Sequence, residues 1–165
     1  MNTDVVYTEE LTSTMTEILF VVLASVFLGL FTWRYLTVGM HPLAWVFLFF
    51  GLFFIFYSIN YRRLVIRITA QAVHLRFGIF GWTIAFDNIQ DCAPDEVTFT
   101  RLGGAGIHFA MVAGRYRANF NFLDQPRVLV RLKRKQGLVR DVSFSTRQPE
   151  AVMRLIEAGM VRSGR

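Results

Sequence analysis

Three histidines and one cysteine are the residues of this chain best suited to acid–base chemistry, nucleophilic attack or metal binding. His41 stands between two apolar runs, whereas His74 and His108 fall on the polar positions of two different alternating segments. No HExxH or other close pair of metal ligands occurs, and no nucleophile-elbow motif is present. Cys92 is the only cysteine, so neither an internal disulfide nor a cysteine-based metal site can form. The pattern predicts surface histidines and no catalytic residue, metal site or cofactor.

The segment RLGGAGIHF, residues 101–109, is the glycine-rich stretch that most resembles a phosphate-binding loop. Such loops precede a helix, whose N-terminus adds a favourable dipole for an anion. Here the following residues alternate like a strand, and the Lys-Ser/Thr pair of a P-loop is missing. The segment therefore predicts a flexible connection or an exposed contact loop. An enzyme acting on lipid could use carboxylates such as Asp87, Asp91 and Asp95, but turn and cap roles explain these residues better.

Basic residues recur on the polar positions of RVLVRLKRKQGLVR, residues 127–140. Contact with anionic lipid would contribute about 1 kcal/mol for each Lys or Arg near the surface. An RNA-binding sheet would interleave exposed aromatic residues with the basic ones, and here the aromatics fall on the opposite positions, which argues against a nucleic acid partner. Lipid contact and simple solvation both remain open. The predicted anionic-lipid contacts are Arg62, Arg63, Arg131, Lys133, Arg134 and Lys135.

Two long apolar runs precede these segments and have to position them. Residues 18–33 contain no charge and the apolar character continues to Val38, while a second uncharged run covers residues 43–59. A helix of about 21 residues is about 31 Å long, which matches the hydrocarbon core of a bilayer. The link TVGMHP is short, with Gly39 suited to end one helix and Pro42 to begin the next. These features predict two antiparallel helices.

We therefore predict a polar acidic segment at residues 1–17 and a two-helix transmembrane hairpin at residues 18–61, with helices at about 18–38 and 42–61. A cleaved signal peptide is the alternative for the first run, but signal peptides begin with basic residues and this N-terminus is acidic. A pair of soluble core helices is a weaker alternative, because such helices are rarely apolar on every side.

The distribution of charge predicts the orientation. Of the 18 Lys and Arg residues, Arg34 alone precedes Tyr61, whereas four of the 12 acidic residues do. Arg62, Arg63 and Arg67 follow the second run directly, and cytoplasmic flanks are the ones enriched in basic residues. We predict a protein of the cytoplasmic membrane with two spans and with both termini in the cytoplasm.

After Arg62 the apolar residues alternate with a period of two, as in strands with one buried face. Seven or eight such runs, separated by turn residues, predict an antiparallel seven-stranded sandwich or a partly open barrel. The predicted strands lie at residues 64–69, 73–77, 82–86, 97–100, 107–111, 116–122, 128–132 and 142–144.

The last part of the chain, RQPEAVMRLIEAG, has a different pattern that predicts a helix at about 149–159. Pro149 suits the first helical position, and Glu150 suits the positive helix dipole beside it. An apolar stripe on this helix would cover one open end of the barrel. Its members are Val152, Ile156 and Met160.

This order of elements resembles the bacterial membrane proteins with a pleckstrin-homology-like (PH-like) domain. The segment VIRITAQAVHLRFGIFGWTIAFDNIQDC resembles the first three strands of that family, and VLVRLKRKQGLVRDVSFSTRQPEAVMRLI resembles its last hairpin and helix. The likeness covers about residues 43–160. It implies an α+β PH-like cytoplasmic domain over residues 62–165. Most members have no assigned activity, so the resemblance implies no catalytic, cofactor or metal site.

Phosphoinositide binding in the eukaryotic PH domains requires basic residues around the first hairpin loop. The corresponding loop here is TAQA, residues 69–72, which has no cation. Arg67 and Arg76 stand on the flanking strands, and we expect that they do not form a pocket by themselves. We predict no specific inositol-phosphate site.

The absence of chemical motifs beside a strongly specified architecture predicts a non-enzymatic, membrane-anchored interaction module. Its expected partners are the lipid bilayer, in which it is integral, and another membrane protein or a second copy. A small subunit of a membrane transport or channel complex is one alternative, although the spans carry no charge near their middle. A domain that binds anionic lipid nonspecifically is another.

Overall fold

The computed structural model of the protein describes residues 5–97 and 105–163. Its first helices are α1, Thr14–Val38, and α2, Pro42–Asn60. They pack against each other through aromatic rings, including Phe27 on Phe50 at 5.3 Å between centroids. The predicted pair of long apolar helices is confirmed. α1 begins earlier than predicted because the side chain of Ser13 caps it by accepting from the backbone N–H of Thr16 (3.1 Å).

The short connection between the helices uses glycine and histidine in specific conformations. Gly39 has φ of +78°, which ends α1, and its backbone N–H donates to the carbonyl of Tyr35 at 2.9 Å. His41 caps α2, where its Nδ1 accepts from the N–H of Leu43 at 3.5 Å. Within the pair, Gly51 leaves room for the side chain of Leu28, since a Cβ there would lie 2.6 Å from it. Such small residues permit close helix packing in membranes.

Both helices are long and apolar enough to cross a membrane by length and composition. In the most apolar 18-residue stretch of each helix, 17% of the residues of α1 and 11% of those of α2 are buried inside the structure. A core helix of a soluble protein would bury most of its apolar surface. These helices instead expose theirs, which is compatible with a two-span membrane protein.

A four-stranded antiparallel sheet packs at the base of the hairpin, with strand order β1-β2-β3-β4. Its strands are β1, Val5–Thr12; β2, Arg63–Thr69; β3, Ala72–Phe77; and β4, Phe80–Ala85. β2, β3 and β4 were predicted, but β1 lies in the segment predicted to be a separate polar tail.

β1 was not predicted because the residues that face the core of the domain are only partly apolar. Leu11 is fully buried, but Glu9 faces the same way. Its carboxylate accepts from Thr146 Oγ1 at 2.6 Å and from the backbone N–H of Arg147 at 2.8 Å. Tyr7 donates to the same carboxylate at 3.1 Å, and burial together with the Glu9 charge raises the pKa of Tyr7 to about 12. Glu9 therefore ties the N-terminal strand to the C-terminal part of the domain.

A five-stranded sheet faces the first one, with strand order β5-β8-β9-β7-β6. A short 3₁₀ helix, Phe86–Asn88, connects the two sheets. The strands are β5, Ile89–Pro94; β6, Gly106–Val112; β7, Arg115–Asn121; β8, Arg127–Gln136; and β9, Val139–Ser145.

The topology departs from the predicted antiparallel arrangement at one place, because β7 and β9 are parallel. The described residues contain nine strands, compared with the seven or eight predicted, and seven of the predicted ranges correspond to β2–β4 and β6–β9. β1 and β5 are the two that the alternation pattern missed. Residues 98–100 of the predicted strand at 97–100 and residues 101–104 of the glycine-rich segment at 101–109 lie outside the described residues.

The third helix, α3, Pro149–Ser163, continues further than the predicted 149–159. Val152 and Ile156 are fully buried on its inner side. Gly159 permits contact with Phe86, since a Cβ there would lie 2.5 Å from the ring. The helix covers the sandwich beside β5, and the core between the two sheets is aromatic and aliphatic. The largest fully buried side chains include Phe77, Phe86, Phe120, Phe122 and Phe144.

One end of the sandwich lies at the hairpin. The backbone N–H of Leu123, just after β7, donates to Thr16 Oγ1 in α1 at 3.5 Å. Ser145, at the end of β9, accepts from the N–H of Phe122 at 2.9 Å and pairs with Arg127, so β8 begins at this end too. We call this the hairpin end. The turn between β8 and β9 lies at the opposite, far end.

Candidate functional site

The hairpin joins the sheets through aromatic rings around Tyr61, which is 5% exposed. The ring centroid of Tyr61 lies 4.5 Å from that of Tyr57 in α2 and 6.5 Å from that of Phe20 in α1. On the other side it lies 5.4 Å from Phe77 in β3 and 6.0 Å from Phe80 in β4. Aromatic contacts of this kind contribute beyond the area that they bury. The junction is therefore a packed interface and not a flexible linker.

Gly78, in the turn between β3 and β4, brings the sheet against the end of α2. Its φ is +51°, and a Cβ at this position would lie 2.7 Å from the backbone oxygen of Asn60. Any other residue would strain the turn and push the sheet away from the helix. Gly106, at the start of β6, is similarly close to Tyr61, because a Cβ at this position would lie 3.4 Å from the tyrosine ring.

An exposed apolar strip runs between β4 and β6, the strands at corresponding edges of the two sheets. We call it the seam and define it by Phe80, Trp82, Phe109 and Met111. Three of these are exposed, Phe80 by 39%, Phe109 by 49% and Met111 by 66%. Trp82 is half-buried on the ring of Phe120 at 6.3 Å. Within the part of the chain that the structure describes, neither edge strand pairs with a further strand.

The seam continues into the exposed surface of α2. The ring of Phe80 contacts that of Phe56 in α2 at 6.5 Å. Ile59, in the last turn of α2, and Ile79, beside Phe80, are each 71% exposed. The opposite side of the sandwich is covered by α3, so the two open sides differ. One side is closed by a helix and the other presents apolar surface.

The outer face of the five-stranded sheet carries a buried network of charges, which we call the ionic network. At its centre is the carboxylate of Asp95, which is 1% exposed. Both of its oxygens accept from Arg117 Nη1, at 3.1 and 3.2 Å, and one accepts from Ser143 Oγ at 2.6 Å. Arg127 Nε lies 3.9 Å from the same carboxylate. Buried charges of this kind require paired partners, and here each one has them.

A second carboxylate, Asp141, extends the ionic network along β9. It accepts from Arg115 Nε at 2.8 Å and lies 4.0 Å from Arg117 Nη2. Burial lowers the pKa of Arg127, and Arg117 acts in the same direction while Asp95 opposes it. The hydroxyl of Ser143 is fully buried and directed at a carboxylate that guanidinium groups already hold. This arrangement is suited to holding strands together. Asp95 also accepts from the backbone N–H of Val97 at 3.3 Å, as the predicted turn role requires, whereas Asp91, for which a turn or cap role was also predicted, lies within β5.

The outer face of the four-stranded sheet forms an open groove of about 470 Å³, which we call the basic groove. Arg67 and Arg76, which were expected not to form a pocket by themselves, line it together with Arg63, His74 and other residues. The Nδ1 of His74 in β3 forms a hydrogen bond with Thr83 Oγ1 in β4 at 3.0 Å. Arg63 pairs with Glu10 at 3.1 Å in an exposed ion pair. Among the described residues, no carboxylate lies within ion-pairing distance of Arg67 or Arg76.

The six predicted anionic-lipid contacts fall into two separate groups. Arg62 and Arg63 lie at the hairpin end, where they pair with Glu17 and Glu10. The other four lie on β8 towards the far end, roughly 13 Å or more beyond its first residue. Two of those four are ion-paired, with aspartates of β5 and the 3₁₀ helix. Lipid contact by the whole set stays a prediction, and its members in β8 are Arg131, Lys133, Arg134 and Lys135.

The histidines and the cysteine lie apart from one another. His41 is at the tip of the hairpin, His74 on the outer face of one sheet and His108 in the edge strand β6 of the other. Cys92 lies on the inner side of β5 and donates weakly to the carbonyl of Met153 in α3. Burial raises the pKa of the Cys92 thiol to about 11, and Glu157 and Asp91 add to the shift. In the described residues no group of His, Cys, Asp or Glu is arranged to hold a metal ion.

No family model, no curated protein and no solved structure matches this chain. The resemblance to the PH-like membrane proteins therefore stays a prediction. What is established is two long apolar helices, a domain of two sheets and a C-terminal helix.

Sequence reasoning missed the ionic network, although a signal was present. In DVSFS the polar positions of β9 carry Asp141 followed by two serines, whose side chains are too short to reach solvent from a covered face. An acidic residue followed by small polar residues within an apolar strand indicates buried polar packing. The arginines of β7 and β8 are the corresponding partners.

Proposed function

We propose that this protein is a non-enzymatic membrane anchor whose β domain is held rigidly at the cytoplasmic face of the membrane for association with another membrane protein, a second copy included. The observation that carries the proposal is the exposed apolar surface of α2 together with that of the seam, which the ring contact of Phe56 with Phe80 joins. Water-exposed patches of this kind mark interaction sites. A surface that lies partly in lipid and partly in water fits a partner that spans the same boundary.

Several features support the membrane placement. β1 precedes the hairpin and pairs with β2, which follows it, so both ends of the hairpin lie at the same sheet. Cleavage after the first apolar run would remove β1 and the buried Phe20 from the fold, which argues for a retained span. Arg62 and Arg63 follow α2 directly, and this favours the cytoplasm for the domain. The two sheets and α3 support the PH-like class, whereas the nine described strands and the parallel pairing of β7 with β9 depart from its seven antiparallel strands.

Within the described residues, the seam also contains unpaired strand edges that can form backbone hydrogen bonds with a partner. β4 and β6 are edge strands, and unpaired edges accept a strand from another chain. Apolar side chains flank both edges. The partner chemistry that this favours is an apolar membrane protein surface with an extended segment or a sheet edge of its own.

A photo-crosslinking amino acid at Met111 of the full-length protein, in its native membrane, tests the proposal. We expect discrete adducts with an integral membrane protein or a second copy. Val161, on α3, is the matched control because it is 63% exposed, compared with 66% for Met111, and lies outside the seam. Phe109→Ser should remove the Met111 adduct. Adducts that are identical at the two positions, or formed with lipid alone, would contradict a protein-binding seam.

A further inference from the structure

We propose that the basic groove binds the phosphate headgroup of an anionic phospholipid from the membrane in which the hairpin is embedded. This site is separate from the seam and goes beyond the proposed function. It is also distinct from the lipid contacts predicted on β8, which belong to the other sheet. Three features of the groove support it: its charge, its shape and its place beside α2.

The strand register concentrates positive charge in the groove. Arg76 in β3 stands opposite Val65 in β2, so Arg63 and Arg67 are its two diagonal neighbours on the same face. Diagonal neighbours lie about 7–8 Å apart, within reach of one phosphate for side chains of this length. His74 stands directly opposite Arg67. The three guanidinium groups can therefore converge on a single anion, which they bind through several hydrogen bonds.

The charge of the groove is poorly compensated by the residues around it. Among the described residues, the carboxylate of Glu10 forms an ion pair with one groove arginine, Arg63. Arg76 Nε donates to the carbonyl of Gly78 at 2.9 Å, which holds the side chain along β3. Three arginines at diagonal positions repel one another, so a bound anion removes an unfavourable interaction as well as adding favourable ones.

The shape of the groove suits a headgroup. Val65 lines its centre, and Gly81 stands opposite Arg76 on the neighbouring strand. These small residues leave a depression between longer side chains. Thr8 and Thr83 stand opposite Arg67 and His74 in the outer strands, so hydroxyl groups flank the cations. A volume of about 470 Å³ exceeds what a lone inorganic phosphate fills and accommodates a larger polar headgroup.

The position of the groove identifies the membrane as the source of the ligand. Gly78 lines the groove and also contacts Asn60, the last residue of α2. Arg63, at the same end, is the first residue of β2. Since α2 ends where the hydrocarbon core must end, this end of the groove lies at the level of the lipid headgroups. None of the described residues that line the groove is aromatic, so these residues provide no stacking surface of the kind that single-stranded nucleic acid uses.

Titration of the full-length protein in neutral detergent tests the inference. The probe is a short-chain phosphatidylglycerol, with a short-chain phosphatidylcholine of equal chain length as the control and binding followed by native mass spectrometry. We expect saturable binding of the anionic lipid at one site and at least about tenfold weaker binding of the zwitterionic one. Equal binding of both lipids would overturn the proposal. Binding of glycerol 3-phosphate as tight as that of the lipid would show a soluble phosphate ligand and would overturn the assignment to the membrane.

Matched variants locate the site. Arg76→Gln should weaken binding by about tenfold, the loss expected for one charge-assisted contact. Arg154→Gln removes the same charge from an exposed position on α3, outside both the groove and the predicted lipid contacts on β8, and should leave binding unchanged. Val65→Glu keeps all three arginines but places a competing carboxylate among them, and it should abolish binding. Equal losses in Arg76→Gln and Arg154→Gln would show a general charge effect and would contradict a defined groove. Seam variants such as Phe109→Ser should bind the lipid normally, which separates this site from the proposed function.

Discussion

The two sheets carry arginines on their outer faces, but the arginines are in opposite electrostatic states. On the five-stranded sheet, Arg117 is 5% exposed and is held by two aspartates. On the four-stranded sheet, Arg67 and Arg76 line an open groove and have no acidic partner among the described residues. The buried charge of Arg117 is compensated by aspartates, whereas the arginines of the basic groove remain available to bind an anion.

The difference lies in the neighbouring strands and not in the arginines. Asp141 in β9 stands directly opposite Arg117, and Arg131 stands opposite Asp91 in β5. The corresponding neighbours of Arg67 are Thr8 and His74. Pairing across strands therefore decides whether an arginine stabilises the fold or remains available for a ligand. Four experiments test this contrast.

The largest effect is expected for Asp95→Asn. The change removes a charge from the centre of the ionic network and leaves Arg117 and Arg127 with an uncompensated buried charge. We expect a loss of about 3–5 kcal/mol in the free energy of unfolding. Urea denaturation of the full-length protein in mild detergent, followed by circular dichroism, measures it.

Asp91→Asn is the control for that change. Asp91 pairs with Arg131 at 2.8 Å, but the two side chains are 40% and 39% exposed. An exposed pair contributes at most about 1 kcal/mol. Equal losses for Asp91→Asn and Asp95→Asn would show that burial does not distinguish the two pairs.

A smaller loss is expected for Ser143→Ala. The hydroxyl donates to Asp95 at 2.6 Å from a fully buried position, and hydrogen bonds to charged groups contribute about 1.5–3 kcal/mol. The same denaturation experiment applies. Ser163→Ala, which removes an exposed hydroxyl near the end of α3, is the control and should be neutral. A neutral Ser143→Ala would mean that the aspartate is satisfied by the arginines alone.

Arg67→Gln should leave stability within about 0.5 kcal/mol of the original, because the residue is exposed and no acidic partner is lost. The identical change at Arg117 should cost several kcal/mol, as in other buried pairs that lose one member. This pair of variants is the most direct comparison of the two faces. A large loss of unfolding free energy for Arg67→Gln would indicate that this arginine has a structural partner, and the two sheets would then no longer differ in this respect.

The smallest signal is the reactivity of Cys92 beneath the five-stranded sheet. Its pKa of about 11 leaves very little thiolate at neutral pH, so alkylation should be slow until the pH approaches that value. Because the folded thiol has the higher pKa, its contribution to stability is present below the ordinary value of 9.0 and is lost as the pH rises through 11. The rate of labelling with iodoacetamide against pH measures this. Rapid labelling at neutral pH would indicate that β5 and α3 separate readily.

Much of the fold could be predicted from the sequence because the signals were local. The hairpin follows from two uncharged runs and a short link, and most strands follow from alternation. α3 was found from its apolar stripe. β5 was missed because IQDCAP has little alternation, and β1 was missed because Glu9 occupies an inward position that only a distant partner satisfies.

The sites were less predictable because they depend on strand order. The parallel pairing of β7 and β9 brings Arg117 and Asp141 together, and no local pattern indicates that pairing. The same holds for the basic groove. Arg67 and Arg76 were identified individually, but the floor between them depends on Val65 and on the register of β2 with β3. Residue types can be read from the sequence, whereas the spacing between distant residues cannot.

The pairing of β1 with β2 has a consequence for biosynthesis. β1 is synthesised before the hairpin, yet its partner strand β2 emerges only after both helices of the hairpin have been made. In the proposed membrane protein, β1 therefore waits unpaired until the hairpin has been inserted. Once the strands join, the chain segment that contains both helices is closed at its base, and neither end of the proposed hairpin can cross the bilayer without breaking the sheet. The first sheet would thus hold the proposed hairpin in a single topology after insertion.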